Sequence, residues 1–319
     1  SGKEVPSQII DEDEKHTHIA FVASVPSVGI ALYDVQPADK PYSDADAIRI
    51  SSTSLENANL RVMLNSNGDI CEIYDKKHGK NVLSGVVSLA LFDYKGSKPW
   101  PAWELTYDEL AVPPREYAKN PKIKILEYGP ARGAIEITRT AGPSKFTQVL
   151  SLDADGDTVR VYNEVDWRST ASLLKVVFPL AAANPNAGYD LGLGVIKRGN
   201  SRPKLYEVPA QMWADITDRS KSFGVSVFSD SRSGWDKPDD NTLRLTVVHT
   251  PVYNYRWECS QHLMDLGLNR FSFGIYPHEG IRQSGTQSAA QRFNQPMATF
   301  TASVHEGTLG TEFSFARLN

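Results

Sequence analysis

The chain has 319 residues, a formal net charge of −4, 40% apolar and 23% charged side chains. That balance suits a protein able to bury a real core, and it lacks the basic footprint that nucleic-acid binding requires. Its longest apolar run, Val176 to Ala183, is interrupted by Pro179 and falls far short of the ~20 residues of a membrane-spanning helix. Neither nucleic acid nor membrane is therefore an expected partner.

Residues 1–37 open with an acidic run, Asp11 to Glu14, ahead of the apolar Ile19–Val25; a secretory leader would carry positive charge there. His16-Thr17-His18 would place two imidazoles on one face of a strand, but no third spaced ligand accompanies them, so a solvated acidic strand is expected rather than a metal site. Ile19–Ser24 and Val28–Val35 read as a strand pair broken by Pro26. Residues 38–52 read as a linker, lying largely within a Pro-, Asp- and Ser-rich stretch from Asp34 to Asp46.

From residue 53 to 280 the dominant period is two. Val159, Val161, Asn163, Val165 and Trp167 alternate with Arg160, Tyr162, Glu164 and Asp166. Phe223/Val225/Val227, Leu243/Leu245/Val247 and Phe271/Phe273/Ile275 repeat the pattern, with turns such as Asn67-Gly68 and Asp155-Gly156-Asp157 between runs. Helical periodicity is confined to one short turn, Ser288 to Phe293. Residues 281–319 form a C-terminal extension, polar through Asn294 and alternating near Thr299–Val304. Many short strands with regular turns predict an all-β sandwich. Cys71 and Cys259 belong to no framework and are expected as free thiols.

Several motifs invite chemistry and are better read as structure. Asp239-Asp240 follows Pro238 in a turn, where Asp bonds its own backbone. Ser272-x-Gly274 lacks the strand–elbow–helix setting of a nucleophile, and Gly192-Leu193-Gly194 opens no helix that could cradle phosphate. Tyr276-Pro277-His278 reads as a strand end.

An ordered set of segments resembles the C-terminal β-region of glycoside hydrolase family 38 α-mannosidases. Val25-Pro26-Ser27-Val28-Gly29 is similar to the strand closing the family's smaller β-domain. Leu55-Glu56-Asn57 through Leu64, Gly68-Asp69-Ile70 and Tyr74-Asp75-Lys76 are similar to the entry into its large sandwich. Ala102-Trp103-Glu104 resembles an Ala-Trp-Asp segment, with Glu where Asp is usual. Gly129-Pro130-Ala131-Arg132, Val165-Asp166-Trp167, Leu174-Lys175-Val176, Phe178-Pro179 and the runs 205–217, 223–236, 243–251 and 271–279 follow in the family's order. The similarity covers roughly residues 20–300.

The resemblance implies a large antiparallel super-sandwich of the galactose-mutarotase-like type, preceded by strands of a smaller β-domain, in a chain trimmed at both ends. It also implies a parent enzyme that hydrolyses terminal α-mannosyl residues with retention, using zinc and an Asp nucleophile in an N-terminal barrel. No His-x-Asp or His-Asp pair occurs here, so none of the metal or nucleophile residues transfers. No catalytic residue, metal ligand or cofactor is expected in this chain, whose partners would be that barrel and mannose-containing glycans.

Six residues are candidates to border the substrate or face the barrel: Asp230, Arg232, Trp235, Trp103, Glu104 and His249. Asp230 to Asp236 reads as a strand-connecting loop that either holds a sugar or packs against the barrel, with Arg232 and Trp235 at an exposed edge. Trp103 beside Glu104 and Trp213 beside Asp215 offer similar chemistry, although core burial is the commoner fate of such a Trp. His249 departs from the basic pattern that the family's eukaryotic members show near the substrate, and a structural role is expected for it. Two other functions fit the same fold: a stand-alone carbohydrate-binding module, needing an exposed aromatic platform, and a mutarotase-like enzyme, needing a His and a Glu converging in one pocket.

Overall fold

The computed structural model describes residues 2–42, 48–96, 100–252, 263–280 and 285–316. Its paired strands run antiparallel. Nine strands form the largest sheet, in the spatial order Lys119–Tyr128, Arg132–Ala141, Ser144–Asp153, Val159–Trp167, Gly267–Glu279, Phe223–Ser229, Trp213–Thr217, Asn186–Asp190 and Val195–Gly199. A six-stranded sheet packs against it, in the order Glu116–Tyr117, Ser88–Asp93, Ser172–Pro179, Thr242–Thr250, Gly234–Asp236 and Val208–Pro209. Five short strands between Arg49 and Asn81 make a third sheet.

One continuous core joins the three sheets. It takes Leu55, Val62 and Ile73 from the smallest, Leu91, Val176, Trp235 and Leu245 from the second, and Phe146, Val161, Val225 and Phe273 from the largest. Each fully buried side chain of this size contributes about 1.5–3 kcal/mol over its exposed state. Trp167 also satisfies its indole N–H on the Thr250 hydroxyl (2.9 Å). The all-β sandwich read from the period-two pattern, and the large antiparallel super-sandwich implied by the family resemblance, are thus the observed architecture.

Pairing near the chain ends differs from expectation. Thr17–Phe21 pairs with Ser7–Glu12, and Gly29–Ala31 pairs with Glu312–Ser314 rather than with the strand preceding Pro26. His16 falls in the turn before its strand, its backbone N–H donating to Asp13 Oδ1 (2.8 Å), so the two imidazoles do not share a strand face. Residues 299–304 form no strand. Gln8 ties the first ribbon to the large sheet. Its Oε1 accepts from the backbone N–H of Ala131 (3.0 Å) and Arg132 (2.9 Å), and its Nε2 donates to Glu127 (3.3 Å). Glycine at position 129 makes room for this grip, since a Cβ there would lie 2.3 Å from that Oε1 and push the Gln8 side chain aside.

The helical turn expected near Ser288 is the helix Thr286–Asn294. It covers Trp213 and Phe228 on the outer face of the nine-stranded sheet with Ala289, Ala290 and Phe293. Burial raises the Cys71 thiol above its ordinary value, and Cys259 lies outside the described residues.

Candidate functional site

Strand register divides the six-stranded sheet into two unlike faces. Leu89, Leu91, Leu174, Val176, Leu245 and Trp235 point into the core. The alternate positions form rows on the outer face: Phe92, Leu173 and His249; Ala90, Lys175 and Thr246; Ser88, Val177, Arg244 and Asp236. Lys175 reaches this face by simple alternation, and the register shift between Leu174 and Lys175, which leaves Val247 unpaired on the neighbouring strand, lets both His249 and Thr246 face outward.

Burying an ammonium is tolerable only when it is paired and hydrogen-bonded. Lys175, fully buried, donates to Glu207 Oε2 (2.8 Å), Asp236 Oδ1 (2.9 Å) and Thr246 Oγ1 (2.6 Å). Arg244 donates to Asp236 Oδ2 through Nε (2.8 Å) and to the Leu110 carbonyl (3.0 Å), and its guanidinium lies 5.3 Å from the Phe92 ring centre. Burial alone pushes the Asp236 carboxyl up, but the charges of Lys175 and Arg244 outweigh it and hold it below the ordinary carboxylate range.

A braced segment lies across this polar face. Tyr94, buried, points its hydroxyl at the carbonyls of Pro101 (2.8 Å) and Glu104 (2.6 Å). Burial, followed by the charges of Glu109, Glu207 and Glu104, raises that phenol above its ordinary value, so it stays a neutral donor. Gly96 adopts φ +72°, and a Cβ there would lie 2.6 Å from the Pro101 carbonyl oxygen, so only glycine allows the close approach. Glu109 accepts from the backbone of Lys95 (2.6 Å) and from Thr106 Oγ1 (2.7 Å). His249 Nε2 donates to the Ala102 carbonyl (3.3 Å), with its ring edge-on to Tyr94.

On the solvent side of this brace, Trp103 and Glu104 donate their backbone N–H groups to the Trp100 carbonyl (3.0 and 3.1 Å). That turn brings Trp100 and Trp103 face to face, centroids 5.1 Å apart and planes inclined by 7°.

Trp103, Glu104 and His249 are thus brought together. Trp103 is 78% exposed, correcting the expectation of core burial; on a helix-like turn, the i and i+3 side chains share one face and can both point outward. Trp213 is buried, as its strand setting suggests, and Asp215 beside it accepts from Ser226 Oγ (2.9 Å) and His278 Nε2 (2.7 Å).

Trp235 corrects the opposite expectation. Gly234–Asp236 is a strand paired with Thr242–Thr250, which turns the indole into the core and Asp236 outward to Lys175. Asp230 and Arg232 lie elsewhere, at the end of the nine-stranded sheet. Asp230 is exposed and accepts from Ser231 Oγ (2.7 Å), and the Arg232 guanidinium lies 5.6 Å from the Phe271 ring centre.

Sequence reasoning missed Tyr94, Glu207 and Arg244, and placed Asp236 in a loop rather than on a paired strand. One signal was available: Lys175 interrupts the apolar run Leu173–Phe178 and demands a buried counter-charge. Asp239 behaves as read, capping its own turn through the backbone N–H of Thr242 (2.8 Å). Among the described residues, no three His, Cys, Asp or Glu side chains converge as a metal site. A cleft of about 170 Å³ beside Asn184, Lys197, Asp215 and Lys221 contains neither a His nor a Glu among its lining residues.

The class to which this all-β sandwich belongs is given by comparison with known proteins. The model of the glycosyl hydrolases family 38 C-terminal domain matches residues 55–255, and the chain belongs to that family. Alpha-mannosidase 2C1 of Mus musculus is 24% identical over 302 residues, covering 89% of this chain and 28% of the relative. An alpha-mannosidase of Saccharomyces cerevisiae is 28% identical over 239 residues, covering 70% of this chain and 21% of the relative. The chain thus spans between 21% and 28% of these relatives' length. The crystal structure of an alpha-mannosidase from Enterococcus faecalis V583 superposes with a TM-score of 0.74 at 15% identity, over 96% of this chain and 40% of that one, a likeness of fold.

Proposed function

We propose that this chain is the non-catalytic C-terminal β-region of a retaining α-mannosidase that removes terminal α-mannosyl residues. Its role is to scaffold the catalytic barrel and border the active-site cleft, with zinc held by the barrel. The family match across residues 55–255, to a domain described as C-terminal, is the observation that carries this assignment. The braced turn bearing Trp103 and Glu104 supports the bordering role, because it presents aromatic and acceptor groups to solvent from a fixed mount.

Two measurements test the division of labour. The 319-residue chain should release no chromophore from a p-nitrophenyl α-mannoside with zinc supplied, and turnover above buffer overturns the non-catalytic assignment. In the full-length enzyme, Glu104→Gln should lower turnover per folded molecule while leaving the melting temperature of the C-terminal region in place. Unchanged kcat/KM would remove Glu104 from the cleft border.

A further inference from the structure

We infer that the stacked Trp100–Trp103 pair is a binding platform for a pyranose ring, a carbohydrate site on this chain itself. The inference deepens the proposed function and rests on it only for the identity of the sugar as mannose.

Three observations carry it. Trp103 is apolar surface left in water at a solvation cost, since it is 78% exposed. Its mount is rigid. Tyr94 grips the carbonyls of Pro101 and Glu104, His249 grips that of Ala102, and Gly96 admits Pro101 against the backbone. A ligand meeting such a platform has little loop or side-chain freedom to freeze out. Trp103 lies stacked on Trp100, planes parallel to within 7°, so the backed outer face of its indole is flat rather than the knob-and-pocket relief of protein hot spots.

A flat aromatic face with a negative quadrupole matches the C–H face of a pyranose, whose ring hydrogens carry partial positive charge. Hydroxyls around the sugar's edge need acceptors close to the plane. Glu104, exposed and next to Trp103 in the chain, supplies a carboxylate, and hydrogen bonds to an ionised acceptor are the stronger kind. An apolar ligand would leave that carboxylate without a partner.

The test is titration of the 319-residue chain with methyl α-D-mannopyranoside and, separately, methyl α-D-glucopyranoside, followed by saturation-transfer NMR and tryptophan fluorescence. Saturable binding with Kd on the order of 1–10 mM is expected. Trp103→Ala should weaken it at least tenfold with the far-UV spectrum unchanged, while Trp103→Phe retains most of it and Glu104→Gln loses several-fold. Binding of the glucoside in preference to the mannoside would support the platform and count against the mannosidase assignment. Three results would overturn the platform: no saturable binding of either sugar, binding indifferent to Trp103→Ala, or a Trp103-dependent association with the separately produced catalytic domain in place of sugar binding. In those cases the mannosidase assignment stands or falls on its own activity test.

Discussion

Lys175→Met isolates the electrostatic part of the strapped sheet face. Methionine keeps the length and most of the volume of the lysine stem, so packing between Ala90 and Thr246 changes little. What disappears is an ammonium held at 2.6 to 2.9 Å by Thr246, Glu207 and Asp236. Glu207 is partly exposed and can recover water. Asp236 is fully buried and keeps only Arg244. Stranding part of a buried charge in this way costs about 3–5 kcal/mol, a large share of the 5–15 kcal/mol typical of a folded domain. With m of about 3 kcal/mol/M, the urea midpoint should fall by about 1–1.7 M. The buried indoles of Trp167, Trp213 and Trp235 provide the fluorescence signal. Adding Asp236→Asn should cost at least about 1 kcal/mol less than the sum of the single changes, because the two groups interact directly. A midpoint unchanged by Lys175→Met, or strict additivity of the pair, would refute the claim that these charges hold each other in place.

Lys237, next along the chain, supplies a pH-dependent counterpart. Burial pulls its ammonium from 10.5 down to about 8, against the opposing pull of Asp240 and Asp239. Between pH 8 and 10.5 the unfolded chain therefore binds more protons than the folded one, and stability should rise with pH across that window. Lys237→Met should flatten the rise, as read from denaturation midpoints at pH 7.5 and 9.5; an equal rise in the variant would assign it to other groups. The two misread tryptophans should also part company. Trp235→Ala should cost about 3–5 kcal/mol and Trp103→Ala less than about 0.5 kcal/mol, and comparable losses in melting experiments would contradict the observed burial.

Long alternating runs were legible because eight or nine residues of period two, as in Val159–Trp167, leave little alternative to a half-buried strand. Gly234–Asp236 was not. Three residues cannot display a period, and the Ser-rich neighbourhood reads as loop although Leu245 is waiting to pair with Trp235. Trp103 failed for the converse reason. Its outward direction follows from a turn held by Tyr94 and His249, and no local pattern announces those contacts. The same limit hid the ionic cluster, whose members Lys175, Glu207, Asp236 and Thr246 come from four strands or loops up to 71 positions apart. Near the ends, the partner of Gly29–Ala31 lies at Glu312–Ser314, and separations of that size leave no trace in local alternation.

Gln8 has a mechanical consequence. A ribbon of two strands joined to a larger body through backbone alone would swing, since single bonds resist rotation weakly. Here one side chain grips two successive amides and a carboxylate across more than a hundred positions of sequence, and Gly129 leaves it no slack. Three hydrogen bonds from one side chain resist pivoting better than a single one, so Gln8 is expected to act as a bracket that orients the ribbon on the sandwich. Shortening the grip to Gln8→Ala would turn the bracket into a hinge.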